Sequence, residues 1–288
     1  MLRPGEFRIT DKGIELANLP EAAKVLEIGC GYGDTTERLE KKYGFEVAAI
    51  DNSEEMVRRS NERGLKTVAK FGDGEFLDFS SKTFDAIISE CVLSLIPKPD
   101  EAIHEAYCTL KNGGKYIISD LYFKKETKKI KEEAKRLADT ANEREHNHGD
   151  CTSHGSHGSD KEASVNGDVS KPKMAAPANL GVLSKMPNSL ECGSYTEEGE
   201  CHEHTMEEFM EPSEYKNVEF RYKDIFFKDG LIEELKEVGF TEIEFLDFTN
   251  ELDSFVAEKI MNGEDYPFCK DVKNKKGIGY FLIVATKK

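Results

Sequence analysis

The segment Glu27–Gly33, which reads Glu-Ile-Gly-Cys-Gly-Tyr-Gly, has the composition of a cofactor-binding turn. Glycine lets a backbone approach a ligand closely because no Cβ stands in the way. A dinucleotide-binding turn would require glycine at position 34, where this chain has Asp34, so a nicotinamide-dependent oxidoreductase is only a minor alternative. Glu27 would repel a pyrophosphate, but it suits a cation such as a sulfonium that carries an amino group. Asp51, 22 residues after Gly29, can accept hydrogen bonds from both hydroxyls of a ribose.

Alternating strands and helices have to position these residues. Apolar runs predict strands over residues 23–28, 46–50, 67–71, 84–89 and 114–119, and later over 241–246 and 279–286. Amphipathic stretches predict helices over residues 34–43, 53–63, 99–110, 230–238 and 251–262. Ser53 is placed to cap the second helix, and Gly239 to end the fourth. Strands that alternate with helices at this spacing predict a doubly wound α/β fold with a mostly parallel sheet.

The charge balance of the chain limits its partners and its location. Aspartate and glutamate number 56 against 40 lysines and arginines, which gives a net charge of −16. That excess argues against a nucleic acid or an anionic membrane as the main partner. No apolar run approaches the roughly 18 residues of a membrane-spanning helix, and no secretory signal is visible, so we expect a cytoplasmic protein. In that compartment the seven cysteines are expected to be reduced.

The composition changes abruptly after residue 145. Between His146 and Asn179 the only large aliphatic or thioether side chains are Val165, Val169 and Met174. Such a segment cannot bury enough apolar area to offset its ordering entropy, so a flexible insertion is predicted. We therefore divide the chain into a core over residues 1–145, an insertion over residues 146–205 and a C-terminal completion of the sheet over residues 206–288.

The insertion is also rich in histidine and cysteine. Imidazoles and thiols at short spacing can bind Zn²⁺ or another borderline metal, although polar segments also collect histidines that have no role. The candidate metal ligands are His146, His148, Cys151, His154, His157, Cys201, His202 and His204. A metal bound there would be stored or would regulate the protein and would take no part in catalysis. The second class of function is therefore a non-catalytic metal-binding or metalloid-binding protein.

The glycine-rich turn and the acidic residues that follow it resemble those of class I S-adenosylmethionine-dependent methyltransferases. The resemblance implies a Rossmann-like sheet of seven strands in which the last strand runs antiparallel, and S-adenosylmethionine as the cofactor. It places the methionine moiety at the turn, the ribose at Asp51, the adenine amine at Asp73 and the closure of the pocket after the fourth strand. The cofactor-binding residues that it implies are Glu27, Gly29, Cys30, Gly31, Gly33, Asp51, Asn52, Asp73, Gly74, Ser89 and Glu90. The side chains of Cys30 and Cys108 are interpreted as structural.

Two further resemblances concern the substrate. Residues 85–122 are similar to arsenite methyltransferases, in which a cysteine at the position of Cys91 faces the cofactor and a later cysteine completes the metalloid site. Cys192 is the nearest match for the second cysteine, and Cys201 is the alternative. Thiolates are suitable ligands for As(III), but Cys91 can equally be a small residue packed after a buried strand. The opening residues 2–11 instead resemble a bacterial and archaeal group of methyltransferases.

The reading that unites these observations is a methyltransferase for a small molecule, with a metalloid such as arsenite as its leading specific substrate. Cys91 and Cys192 are then the candidate catalytic residues. The protein would align the acceptor with the methyl group and exclude water from the pocket.

Overall fold

A computed structural model describes residues 3–132, 134–136, 220–222, 224–262 and 277–288. The predicted insertion over residues 146–205 lies outside the described residues. The strands are β1 (Lys24–Ile28), β2 (Glu46–Asp51), β3 (Lys70–Phe71), β4 (Phe84–Glu90), β5 (Leu110–Phe123), β6 (Arg221–Tyr222), β7 (Ile225–Phe226), β8 (Phe240–Asp247) and β9 (Ile278–Lys287). The helices are α1 (Phe7–Ala17), α2 (Asp34–Tyr43), α3 (Glu54–Asn61), α4 (Pro99–Thr109), α5 (Lys228–Val238) and α6 (Thr249–Met261), with a 3₁₀ turn at Leu93–Leu95.

The described strands form one sheet in the order β3-β2-β1-β4-β5-β9-β8. The strands from β3 to β5 run parallel, whereas β9 runs antiparallel to both β5 and β8. The predicted doubly wound sheet with an antiparallel last strand is therefore confirmed. A short hairpin of β6 and β7, absent from the prediction, joins the sheet where Tyr122 pairs with Phe226.

Each face of the sheet is covered by helices that bury apolar side chains. Ile103 of α4 and Leu231 of α5 belong to the core on one face. Ile14 of α1, Leu39 of α2 and Leu252 of α6 belong to the core on the other face. Because both faces are buried, the middle of each central strand is mostly apolar, as in Val25-Leu26 of β1, Ala86-Ile87-Ile88 of β4 and Tyr116-Ile117-Ile118 of β5.

Helix α1, which the sequence analysis did not predict, packs directly on the sheet. A Cβ added at Gly13 would lie 2.7 Å from Cγ2 of Ile117, so the helix backbone approaches β5 closely. Arg38 of α2 donates from Nε and Nη2 to the two carboxylate oxygens of Asp11 in α1, at 2.7 and 2.5 Å. This bidentate pair holds the pKa of Asp11 well below its usual range and fixes α1 to α2.

The helix ends follow the sequence signals. Ser53 Oγ accepts a hydrogen bond of 3.4 Å from the amide of Met56 and so caps α3, as predicted. Gly239 ends α5 in the left-handed conformation, where an added Cβ would lie 2.8 Å from the hydroxyl of Tyr107. Among the described residues, every helix is too short or too polar to cross a lipid bilayer.

Candidate cofactor and acceptor site

The turn between β1 and α2 is fixed to the end of β2 by backbone hydrogen bonds. The amides of Gly29 and Cys30 both donate to the carbonyl of Ile50, at 2.8 and 2.9 Å. The amide of Gly33 closes the turn on the carbonyl of Cys30 at 2.9 Å. The turn therefore lies at the carboxyl ends of two parallel strands, which is where open α/β sheets bind their ligands.

The three glycines of this turn have left-handed φ values but different surroundings. A Cβ at Gly29 would lie 2.3 Å from Cγ2 of Val92, and a Cβ at Gly33 would lie 2.5 Å from Oγ of Ser60. These two glycines permit close packing against the segment after β4 and against α3. A Cβ at Gly31 would meet no atom of the described residues within 4 Å, so its backbone faces open space there that a ligand can enter.

Asp51, which ends β2, lies beside this open backbone. Its Oδ2 accepts a hydrogen bond of 2.8 Å from the amide of Gly31, and its Oδ1 accepts one of 2.9 Å from the amide of Ser53. A carboxylate has about four acceptor positions, so both oxygens can still accept from ligand hydroxyls. Asn52, the next predicted cofactor residue, is exposed.

Glu27 brings a titratable carboxyl to the same end of β1. The side chain is buried, and Thr36 Oγ1 in the first turn of α2 donates to its Oε2 at 2.5 Å. Burial raises the pKa of Glu27 to about 8, because the charged form loses its hydration. A cationic group beside this carboxyl would stabilise the ionised form.

The predicted adenine loop lies next to Asp51 and to the segment after β4. The amide of Gly72 donates to the carbonyl of Asp51 at 3.1 Å, and a Cβ at Gly74 would lie 2.7 Å from Cδ1 of Ile96. Asp73 is exposed, and its Oδ1 accepts a hydrogen bond of 3.0 Å from the amide of Glu75. An exposed carboxylate on this loop is available to an amine of a ligand.

Glu90 ends β4 and connects three parts of the chain. Its Oε1 accepts a hydrogen bond of 2.7 Å from Thr10 in α1, and its Oε2 accepts one of 2.9 Å from Thr35 in α2. Arg3 forms an ion pair with Oε2 as well. Ser89, in contrast, is fully buried, with its hydroxyl 3.2 Å from that of Tyr116, so its side chain belongs to the core and does not face the turn.

Cys91 follows β4 with a φ of +57°, a conformation that is unusual for a residue other than glycine. Its Sγ lies 2.9 Å from the hydroxyl of Tyr280, and its amide donates to the carbonyl of Ser119 at 2.8 Å. Burial raises the pKa of the Cys91 thiol to about 12. The predicted second cysteine, Cys192, and its alternative, Cys201, lie outside the described residues.

The other described cysteines are structural. Cys30 packs with Ala49 and Ala69, and burial raises the pKa of its thiol to about 12, so only its backbone is available to a ligand. Cys108 is disulfide-bonded, which contradicts the expectation that its thiol is reduced.

All eight candidate metal ligands of the insertion lie outside the described residues. Within the part of the chain that the structure describes, no group of three or more histidine, cysteine, aspartate or glutamate side chains is arranged to hold a metal ion. A cavity of about 450 Å³, lined among others by Lys131, Phe227 and Glu237, shares no residue with the site described above.

Two positioning residues were not found from the sequence. Arg221 of β6 donates to the carbonyls of Ser94, Ile96 and Pro97, at 3.0, 2.5 and 2.9 Å. Asp120 of β5 accepts from the amide and the hydroxyl of Ser94, at 2.9 and 2.8 Å, and burial raises its pKa to about 6. Together they hold the segment after β4. Arg221 lies at least 124 positions from its acceptors and Asp120 lies 26 positions from Ser94, and no local sequence pattern connects either pair.

Comparisons with known proteins agree with this geometry. A family described as a methyltransferase domain matches residues 19–176, which is more than half of the chain. The chain is 33% identical to a sarcosine/dimethylglycine N-methyltransferase from Aphanothece halophytica, over 39% of this chain and 42% of that protein. It is 34% identical to phosphoethanolamine N-methyltransferase 1 from Zea mays, over 40% of this chain and 24% of that protein. The matches thus span less than half the length of these two relatives.

Solved structures show the same fold. A phosphoethanolamine N-methyltransferase 2 from Haemonchus contortus superposes with a TM-score of 0.58 at 14% identity, over 100% of this chain and 54% of that chain. The [4+2]-cyclase SpnF superposes with a TM-score of 0.57 at 17% identity, over 97% of this chain and 80% of that chain. Because these neighbours differ in their described activities, the fold alone does not specify the reaction.

Proposed function

The chain belongs to the methyltransferase-domain family of class I S-adenosylmethionine-dependent enzymes, and from this premise we propose that it methylates a small molecule. The observation that carries the proposal is the hydrogen bond between the amide of Gly31 and Asp51, beside a backbone that faces open space. This arrangement offers acceptors to a ribose and leaves room for the rest of a nucleoside.

The residues of the site fit S-adenosylmethionine in shape and in charge. Asp51 would accept from the ribose hydroxyls, Asp73 would accept from the adenine amine, and Glu27 would face the cationic methionine moiety. The bound cofactor supplies an electrophilic methyl group. The chain's own part is to hold an acceptor in line with that group and to exclude water.

Two observations support a small acceptor. The net charge of −16 disfavours polyanionic substrates such as nucleic acids and disfavours anionic membrane surfaces. The curated relatives are described as enzymes for sarcosine, dimethylglycine and phosphoethanolamine, which are small molecules. On this basis we propose a small acceptor.

A narrower hypothesis takes a metalloid such as arsenite as the acceptor, with Cys91 and Cys192 as its ligands. The position of Cys91 supports this hypothesis. Cys91 directly follows β4, and the next residue, Val92, packs on the glycine turn. Because the pKa of the Cys91 thiol is about 12, As(III) would have to displace its proton as the bond forms.

Calorimetric titration with S-adenosylmethionine and S-adenosylhomocysteine tests the proposal. We expect both ligands to bind saturably. We also expect S-adenosylmethionine to be converted to S-adenosylhomocysteine when sarcosine, phosphoethanolamine or arsenite is added, if the acceptor belongs to one of these classes. A protein that binds Zn²⁺ or As(III) but neither nucleoside would instead be a metal-binding protein on a methyltransferase fold.

A further inference from the structure

Arg3 extends from the N-terminal segment into the site. Its Nη1 donates to Thr35 Oγ1 at 2.5 Å and forms the ion pair with Glu90. The side chain is 15% exposed, and its guanidinium lies 5.1 Å from the centre of the Phe7 ring. The guanidinium therefore lies between the start of α2 and the end of β4, next to the glycine turn.

The other edge of this guanidinium has no partner. Nε and Nη2 of Arg3 are both buried, and neither makes a hydrogen bond within the described residues. These two atoms form the edge that binds a carboxylate with two parallel hydrogen bonds. Arg38 shows this use in the same protein, since its Nε and Nη2 donate to the two carboxylate oxygens of Asp11. A buried cation with an unused donor pair is costly unless a ligand completes it.

We propose that Nε and Nη2 of Arg3 bind the carboxylate of a ligand in this site. The inference rests on the proposed function, and the carboxylate has two possible sources: the methionine moiety of S-adenosylmethionine or the methyl acceptor. The positive charge of Arg3 acts on Glu27, whose carboxyl suits an ammonium group. Together the two side chains match the zwitterion of an α-amino acid, with Glu27 facing the ammonium and Arg3 facing the carboxylate.

The connection between Arg3 and α1 has an unusual backbone conformation. Gly5 and Glu6 join Arg3 to α1 with φ values of +67° and +51°, and Glu6 is a residue that rarely adopts such a conformation. Nε and Nη2 are sealed from solvent, so binding of a carboxylate there requires residues 3–6 to shift.

Calorimetry with a matched pair of ligands tests the cofactor as the source. S-adenosylmethionine and decarboxylated S-adenosylmethionine differ only in the carboxylate. We expect the wild-type protein to prefer S-adenosylmethionine by about tenfold or more, and Arg3→Gln to bind both ligands equally. Arg3→Lys keeps the charge beside Glu90 but cannot donate two parallel hydrogen bonds to a carboxylate. Its preference for S-adenosylmethionine should therefore be intermediate. Arg8→Gln is the control, because Arg8 is 71% exposed and pairs with Glu251.

A second titration tests the acceptor as the source. Sarcosine and N-methylethanolamine, which lacks the carboxylate, are titrated into the complex with S-adenosylhomocysteine. A preference for sarcosine that Arg3→Gln abolishes assigns the carboxylate to the acceptor. If neither pair of ligands shows a preference that depends on Arg3, in variants whose melting temperature shows that they are folded, the inference is overturned. Wild-type protein that binds no adenosyl ligand would instead overturn the proposed function.

Discussion

The amide of Gly31 donates a hydrogen bond of 2.8 Å to Oδ2 of Asp51, which joins the glycine turn after β1 to the carboxylate that ends β2. One side chain thus shapes the turn and offers acceptors to a ribose. Asp51→Ala removes both functions, so we expect the affinity for S-adenosylmethionine to fall by at least about tenfold in calorimetry, since a hydrogen bond to a charged group contributes about 1.5–3 kcal/mol.

The control for this variant is Asp34→Ala. Asp34 stands where a dinucleotide-binding turn needs glycine, and it pairs with Arg63 at 2.9 Å. Its removal should leave S-adenosylmethionine affinity unchanged. NAD⁺ should bind negligibly to the wild type, and saturable micromolar binding of NAD⁺ would contradict the assignment of the turn.

Gly29→Ala and Gly31→Ala should impair different properties: the first mainly the stability of the fold, the second mainly the affinity for the cofactor. At Gly29 the new methyl group would lie 2.3 Å from Val92, so we expect thermal unfolding to show a loss of more than about 3 kcal/mol. At Gly31 it would meet no atom, so stability should fall by only about 1–2 kcal/mol from the left-handed φ, while cofactor affinity falls because the methyl occupies ligand space. Equal losses of stability in the two variants would contradict the open surface at Gly31.

Binding of S-adenosylmethionine should depend on pH through Glu27. The pKa of Glu27 is about 8, so near pH 6.5 the carboxyl is protonated, and a cation favours its ionised form. Binding should therefore release a proton, and the association constant should rise as the pH increases from 6 to 7.5. Calorimetry in buffers of different ionisation enthalpy measures this proton. In Glu27→Gln the proton release should disappear. Proton release that persists in this variant would have to come from another group.

The pair of Asp11 and Arg38 should stabilise the fold in neutral solution but not in acid. The lowered pKa of Asp11 contributes stability that is present above its ordinary value of 3.8 and is lost as the pH falls through the folded value. Asp11→Asn should therefore reduce the free energy of unfolding at pH 7 by about 1–2 kcal/mol. Denaturant unfolding should show that this difference shrinks in acid, and a constant difference would refute the ionic origin.

The metalloid hypothesis makes a separate prediction about thiols. Cys91→Ser and Cys192→Ser should each abolish As(III)-dependent turnover while S-adenosylmethionine affinity stays the same, because serine lacks the soft donor. Cys30→Ser is the control, since that side chain packs on Ala49 and Ala69. Turnover of arsenite at the wild-type rate in the first two variants would leave Cys91 as a packing residue beside Tyr280.

The sequence predicted best those parts of the fold that depend on local patterns. Helix α2 has the predicted limits, and β1, β2 and β4 differ from their predicted limits by a residue or so, because apolar runs and glycine-rich turns mark their ends. Strand β3 was predicted over residues 67–71 but covers only Lys70–Phe71, since the edge of the sheet gives pairing on one side only.

What the sequence did not predict depends on contacts between distant residues. Helix α1 buries Ile9, Gly13 and Ala17, which lie four residues apart on one face, but the glycine in the middle of this set obscured the apolar pattern in the sequence. The contact of Arg221 with the segment after β4 joins residues about 125 positions apart, and nothing in either local sequence specifies it.

The place of β9 in the sheet has a consequence for synthesis of the protein on the ribosome. Strand β9 pairs with both β5 and β8, and it follows β5 by about 155 residues. At about 5–20 residues per second, the edge of β5 that pairs with β9 lacks that partner for roughly 8–30 s after β5 is synthesised. During that interval the nascent chain exposes an apolar strand edge to other chains, so a chaperone that shields β5 should raise the yield of folded protein.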